Sequence, residues 1–152
     1  MNQDFEIAIE KARKYCLRGE KCRQDVRKKL YDWKIPPDWH EKILDTITEE
    51  RFIDEERFAK SFANDKCYLN KWGKIKIRYT LLSKNIDENI INKALENIDN
   101  KRYKEIFHDV SSQKLKLLKN KENDSYKIKQ KLVAFLSRRG FEPDLINDAE
   151  LF

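Results

Sequence analysis

The stretch Lys74-Ile75-Lys76-Ile77-Arg78-Tyr79-Thr80-Leu81 alternates apolar and polar side chains, and taken alone it predicts a β-strand. Internal repetition overrules that reading. A shift of 51 residues carries Val26, Leu30, Ile35, Trp39 and Ile43 onto Ile77, Leu81, Ile86, Ile90 and Ala94. A further shift of 55 reaches Leu132, Leu136, Phe141, Leu145 and Ala149, where the pattern is plainly helical. The first shift also lays Ala8, Ala12 and Cys16 on Ala59, Ala63 and Cys67, small residues of the kind that close helix packing needs. The spacing therefore predicts helix over the strand-like segment, despite its β-branched residues. No third copy of the first-helix pattern occurs near Gln113, so the third unit matches only in part.

Outward from that segment the chain reads as helices throughout. Asp4 is expected to cap a first helix with Ala8, Ala12 and Tyr15 on one face, ended by Gly19. A second is expected from about Cys22 to Lys34, carrying Val26, Leu30 and Trp33. Pro36-Pro37 stops it and opens a third with Trp39, Ile43, Leu44 and Ile47. Asp54-Glu55-Glu56 opens a fourth, placing acids at the positive end of its dipole, with Phe58, Ala59, Phe62 and Ala63 as its stripe. Asp87 caps a helix through Ile91, Leu95 and Ile98. A long helix follows with Tyr103, Ile106, Phe107, Val110, Leu117 and Leu118 in phase. Lys119 to Ser125 reads as a polar linker, and Asp124 or Ser125 as the next cap. Ile128, Leu132, Phe135 and Leu136 form that helix's core face, Gly140 ends it, and a short last helix begins near Pro143. The fold class is all-α, with three-helix units expected at residues 1–50, 51–99 and 100–152 of an elongated body.

Composition agrees. Only three glycines and three prolines occur in 152 residues, too few for a many-stranded architecture, and 11% aromatic content argues against disorder. Three cysteines without a CxxC pair fit a reducing, cytoplasmic setting, and no apolar run approaches a membrane span or a signal sequence. Net charge is +6 and unevenly spread: residues 1–50 hold 11 basic and 11 acidic side chains, 51–100 hold 10 and 8, and 101–152 hold 12 and 8. Such an excess suits an anionic partner, although a solvated basic surface explains charge alone equally well.

Enzyme chemistry is poorly supplied. His40 and His108 lie in separate units without a ligand-spaced Cys or carboxylate. Asp54, Glu55 and Glu56 point in different directions on a helix, and capping accounts for them without a metal. No phosphate-binding glycine loop occurs, and no cofactor is implied. The cations are better organised. Lys66, Lys71, Lys74, Lys76, Arg78 and Lys84 fall in residues 66–84 without one acid between them. Lys74 and Arg78, at i and i+4, share a helix face and correspond under the repeat to Arg23 and Arg27. Lys127, Lys131 and Arg138 also share a face, away from Leu132, Phe135 and Leu136, and Arg139 follows them. Tyr68 and Trp72 sit among the cations, where they could stack on bases, although a core anchor suits Trp72 better.

At these residues the chain resembles the RecX regulatory proteins, modulators of the RecA recombinase. Cys22-Arg23-Gln24-Asp25-Val26-Arg27-Lys28-Lys29-Leu30 is similar to the family's SxxELxxKL segment. Arg51-Phe52-Ile53-Asp54-Glu55-Glu56-Arg57-Phe58-Ala59 resembles its G-[YL]-[LI]-D-D-x-R-F-A stretch, and Leu136-Ser137-Arg138-Arg139-Gly140-Phe141 its terminal LxRRGF. Gly73-Lys74 to Lys84-Asn85-Ile86 is similar to GxxxIxxxLxxKGI. Lys34, Arg51 and Asn85 stand where the family often has glycine, which weakens the turn chemistry but leaves the apolar ladder intact. The resemblance implies a curved body of tandem three-helix units that binds the groove of the RecA–DNA filament. It also implies damped recombination, ATP hydrolysis and co-protease activity, hence a role in DNA repair and the SOS response, and binding to single- and double-stranded DNA. A cytoplasmic monomer is expected. The rival readings are a free-standing helical DNA-binding module and a protein-interaction scaffold.

Overall fold

The computed structural model describes residues 3–149. They form α1 (Gln3–Cys16), α2 (Arg23–Asp32), α3 (Pro37–Glu49), α4 (Glu55–Tyr68), α5 (Lys74–Ser83), α6 (Glu88–Glu96), α7 (Asn100–Lys121), α8 (Ser125–Arg138) and α9 (Pro143–Asp148), with no strand among the described residues. The strand-like stretch is α5. Ile77 and Leu81 are fully buried, as are their counterparts Val26, Leu30, Leu132 and Leu136. Ala8, Ala12, Ala59 and Ala63 are buried too, which lets the first helix of each of the first two units lie close against its neighbours. No helix among the described residues is long and apolar enough to cross a membrane.

The recurring step of five residues has a structural cause. After each middle helix the chain turns through a left-handed residue: Lys34 at φ 60°, Asn85 at φ 60° and Gly140 at φ 95°. The next N–H then reaches back five residues, from Ile35 to Leu30 (3.0 Å), Ile86 to Leu81 (3.2 Å) and Phe141 to Leu136 (3.1 Å). This is the Schellman arrangement, in which those two residues also make the apolar contact that seals the helix end. Arg51 repeats it after α3 at φ 68°, with the Phe52 N–H bonded to the Ile47 carbonyl at 2.9 Å. Lys71, at φ 58°, is a further left-handed residue that the sequence did not announce.

The middle helices meet end to end. At the junction of the second and third units, the Arg139 and Gly140 carbonyls accept the N–H groups of Gly73 (2.8 Å) and Ile75 (2.9 Å). The free carbonyls of one helix end thereby satisfy the unpaired donors of another. The approach is so close that a Cβ on Gly73 would stand 2.1 Å from the Gly140 carbonyl carbon. Tyr103 reinforces this junction: its hydroxyl accepts from the Lys74 N–H at 2.9 Å and donates to Glu142. The second and third units share one apolar core, which also takes in Cys22.

The first unit has a separate core, and its junction with the second is held by side chains. Lys84 donates to Asp25 at 2.9 Å, Arg57 pairs with Glu20, and Glu55 accepts from the Arg23 N–H at 3.4 Å. Burial works to raise the Asp25 carboxyl, but bonds from Lys84 and the Cys22 N–H outweigh it and hold the group below its ordinary range. Burial likewise opposes the charge on Lys84, and the Asp25 bond overcomes it, raising the ammonium.

Local details differ from the sequence expectations. Asp4 lies inside the first turn of α1 and does not cap it, because the helix starts at Gln3. Gly19 follows α1 by three residues, since the helix already ends at Cys16, and Cys22 is the N-cap of α2 and not its first residue. The expected linker shrinks to residues 122–124 because α7 continues to Lys121. Leu117 is 56% exposed; Leu118 carries the core contact there.

Three outcomes follow from these contacts. Gly140→Ala drives a methyl group to 2.4 Å from the Lys76 Cβ and strains a left-handed position, so it should cost about 3 kcal/mol or more in urea unfolding. Lys34→Gly relieves the same backbone conformation and should stabilise by about 0.5–1 kcal/mol, the left-handed cost less the entropy glycine adds to the unfolded chain. Lys84→Met should cost about 1 kcal/mol near neutral pH. A depressed carboxyl contributes stability above its unfolded value and loses it as pH falls through its folded value. The raised ammonium contributes below its unfolded value and loses it as pH rises through its folded one. The gap between Lys84→Met and the parent should thus close in strong acid and again in strong alkali, as read by melts across pH.

Candidate partner-binding surface

The charged surface is organised by the three middle helices. α5 and α8 carry cations and no acid, whereas α2 carries Asp25 and Asp32. In the first unit the cations are neutralised. Arg23 reaches Glu41 (3.2 Å) and Asp45 (2.9 Å), and Arg27 reaches Glu41 (2.6 Å). The repeat carries Glu41 and Asp45 to Asn92 and Glu96. The second unit keeps only one of the two α6 acids at the same place: Lys74 and Arg78 line a cleft against α6 with Asn92 and Glu96, Glu142 joins them from the third unit, and Arg78 makes no ion pair among the described residues. The Lys74 ammonium lies 4.8 Å from the Tyr103 ring centre.

The cations of α8 face another way. Lys131 and Arg138 line a groove against α7 with Lys114, Leu118 and Phe135. Phe135 is only half-buried and sits among the cations, under the Lys114 ammonium (4.8 Å) and the Arg139 guanidinium (5.4 Å). The expected separation of Lys131 and Arg138 from Phe135 does not hold, because α7 packs beside α8 and leaves that ring at the groove wall. Lys127 is exposed one turn before Lys131. Lys131 lies 3.6 Å from Glu122, whose carboxyl is held below its usual range chiefly by the Asp124 N–H. Lys74 and Arg78 thus flank the middle-helix line on the α6 side, and Lys131 and Arg138 on the α7 side.

Trp72 stands just before Gly73, the N-cap of α5. It packs on the shared core, edge-on to Phe62 at 6.4 Å, with the ammoniums of Lys66 (4.9 Å) and Lys76 (4.2 Å) over its ring. Core anchor and cation platform are the same residue. Lys71 is half-buried in the turn just before it. Tyr68 is engaged, with the Arg102 guanidinium 3.7 Å from its ring centre and its hydroxyl accepting from the Asp99 N–H at 3.0 Å. Sequence reading picked out Lys66 and Lys76 only as members of an acid-free run and missed Lys114. The signal for Lys114 was faint, because it comes from a helix that breaks the repeat.

The groups considered for catalysis have structural roles. His40 is buried and donates through Nε2 to the Ile35 carbonyl at 2.9 Å, and His108 is exposed. Asp54 caps α4 by accepting from the Arg57 N–H (3.0 Å), Glu55 faces Arg23, and Glu56 lies 3.7 Å from Lys93. No group of acids, histidines and cysteines among the described residues could hold a metal. Burial pushes the thiols of Cys16, Cys22 and Cys67 each up to about 11, which keeps them protonated and inert.

Comparison with known proteins agrees with this architecture. Residues 54–95 match the second three-helix domain of RecX, and residues 112–149 match the third. Regulatory protein RecX of Clostridium botulinum (strain Eklund 17B / Type B) is 35% identical over 97% of this chain and 69% of its own length. That of Chlorobium phaeobacteroides (strain BS1) is 32% identical over 95% of this chain and 89% of its own. The crystal structure of a regulatory protein RecX superimposes with a TM-score of 0.85 at 22% identity, covering 95% of this chain and 70% of that one. RecX from Lactobacillus salivarius gives 0.81 at 21% identity, covering 97% and 94%. With two family domains matched and relatives of that name aligned over more than two thirds of their length, the chain belongs to the RecX family, which is one of regulatory proteins and not of enzymes.

Proposed function

We propose that this protein binds the RecA–DNA filament in the cytoplasm and damps recombinase, ATPase and co-protease activity during DNA repair and recombination. Besides family membership, one observation carries the reading. The middle helices of both matched domains, α5 and α8, present cations without a single acid. Proposed contacts are Lys71, Lys74, Arg78, Lys127, Lys131, Arg138 and Arg139. Arg23 and Arg27 are secondary, because Glu41 and Asp45 already neutralise them. Arginine suits bidentate phosphate or carboxylate contacts and lysine acts as a point charge. A monomer with affinity for single- and double-stranded DNA completes the proposal.

A free-standing DNA module would bind naked DNA with an affinity falling steeply against salt, whereas a pure scaffold would bind the filament and largely ignore naked DNA. Titrations on DNA alone and on RecA-coated DNA at matched salt separate these from the filament reading. Reversing Lys74 and Arg78 together to Glu should abolish inhibition of RecA strand exchange with helicity unchanged. Full inhibition by the folded double variant would sink the assignment of those two residues.

A further inference from the structure

α5 is apolar on two sides. Ile77 and Leu81 face the core, while Ile75, Tyr79 and Leu82 are 47%, 74% and 38% exposed. The exposed three stand at i, i+4 and i+7, one outward face of the helix. The fold does not require them. The corresponding positions of the third unit are Gln130, Ala134 and Ser137, and those of the first are Gln24, Lys28 and Tyr31, of which only the exposed Tyr31 is apolar, on helices that bury their inner faces equally well. The strand-like alternation of this segment arises here: residues 75 and 79 are apolar outward while 77 and 81 are apolar inward.

We propose that Ile75, Tyr79 and Leu82 form an apolar seam by which α5 inserts into an acid-rimmed apolar groove of the protein partner. An i, i+4, i+7 set of anchors is how a helix reads such a groove. The rim chemistry follows from the flanks, with Arg78 on one edge of the seam, Lys76 on the other, and no acid anywhere on α5. Nucleic acid is the poorer occupant. Tyr79 could stack on a base, but Ile75 and Leu82 offer no π-face, and a phosphate backbone offers no apolar surface. The inference rests on the filament reading and adds that the recombinase protein, not its DNA, covers this helix.

The test replaces the seam with the third unit's own residues, Ile75→Gln, Tyr79→Ala and Leu82→Ser together, in the full chain. Affinity is then measured for RecA-coated DNA and for naked DNA, beside circular dichroism and the urea midpoint. Expected is a loss of about tenfold or more on coated DNA, about 1.4 kcal/mol, persisting at raised salt, with naked-DNA binding within about twofold of the parent. Tyr79→Ala alone, at the most exposed of the three, serves if the triple variant unfolds, and should lose about threefold or more on coated DNA. Unchanged binding to coated DNA by a folded variant overturns the seam while leaving the filament reading intact. Equal losses on both substrates assign the face to nucleic acid and overturn it too. A parent that self-associates through these residues, with a monomeric variant, assigns it to a second copy. A parent that binds neither substrate overturns the filament reading, and the seam's assignment falls with it.

Discussion

Each middle helix must stop within one residue and send the chain back across its own end, and much of the molecule hangs on that reversal. A left-handed residue produces it at Lys34, Asn85 and Gly140. Only glycine adopts that conformation without strain; a residue with Cβ gives up roughly 1–2 kcal/mol. Two of the three positions accept that cost for what the geometry brings. It seats Ile35, Ile86 or Phe141 against the leucine five residues earlier, closing the unit's core. At Asn85 it also presents the helix end to the first unit, where Lys84 meets Asp25. The third position admits nothing but glycine, since its Cβ would meet Lys76 backbone atoms at 2.6 and 3.0 Å.

The two junctions built this way differ in kind. Between the second and third units the contact is backbone on backbone, under a shared core. The positions equivalent to the Asp25–Lys84 pair are there Lys76 and Arg139, two cations, so an ion pair at that place is impossible. Close approach of Gly73 and Gly140 substitutes for it, and the cations are left to the surface. Between the first and second units the ion pair holds, and Arg23 and Arg27 of α2 are bound to α3. Docking chemistry and surface charge are thus linked: the junction that gives up its acid is the one beside which free positive charge accumulates.

Much of this was legible in sequence because it is periodic. The ladder from Val26 to Ile43 recurs with its five-residue step intact, and that step is a covalent count that packing cannot alter. Helix type, order and most of the core follow from it. Ends were less legible. Asp4 looks like a cap, yet whether a polar residue caps or joins the first turn depends on a single residue of chain path. Lys71 takes a left-handed turn that no glycine or asparagine advertises. The charged surface was legible as a list but not as a map. Identical spacing places Arg23 and Lys74 at the same address, while the neighbours that decide their charge, Glu41 and Asn92, sit on a different helix. Phe135 shows the same limit: in phase with the core by count, it is left at a groove wall by the long α7.

The segment that reads as a strand joins these threads. A helix in a small repeat normally has one apolar face and one polar one, and its sequence then shows a period near 3.6. α5 departs from that because its outward face is apolar as well, and two opposed apolar faces on a helix mimic the alternation of a strand. The ambiguity is therefore a property of the molecule and not a weakness of the pattern. It marks the middle helix whose three outward positions 75, 79 and 82 are all apolar and which carries cations but no acid. The apolar triad does not serve the fold, since the third unit folds with Gln130, Ala134 and Ser137 in its place. The proposed docking of α5 on a partner outside the chain accounts for an apolar face that the fold leaves unused.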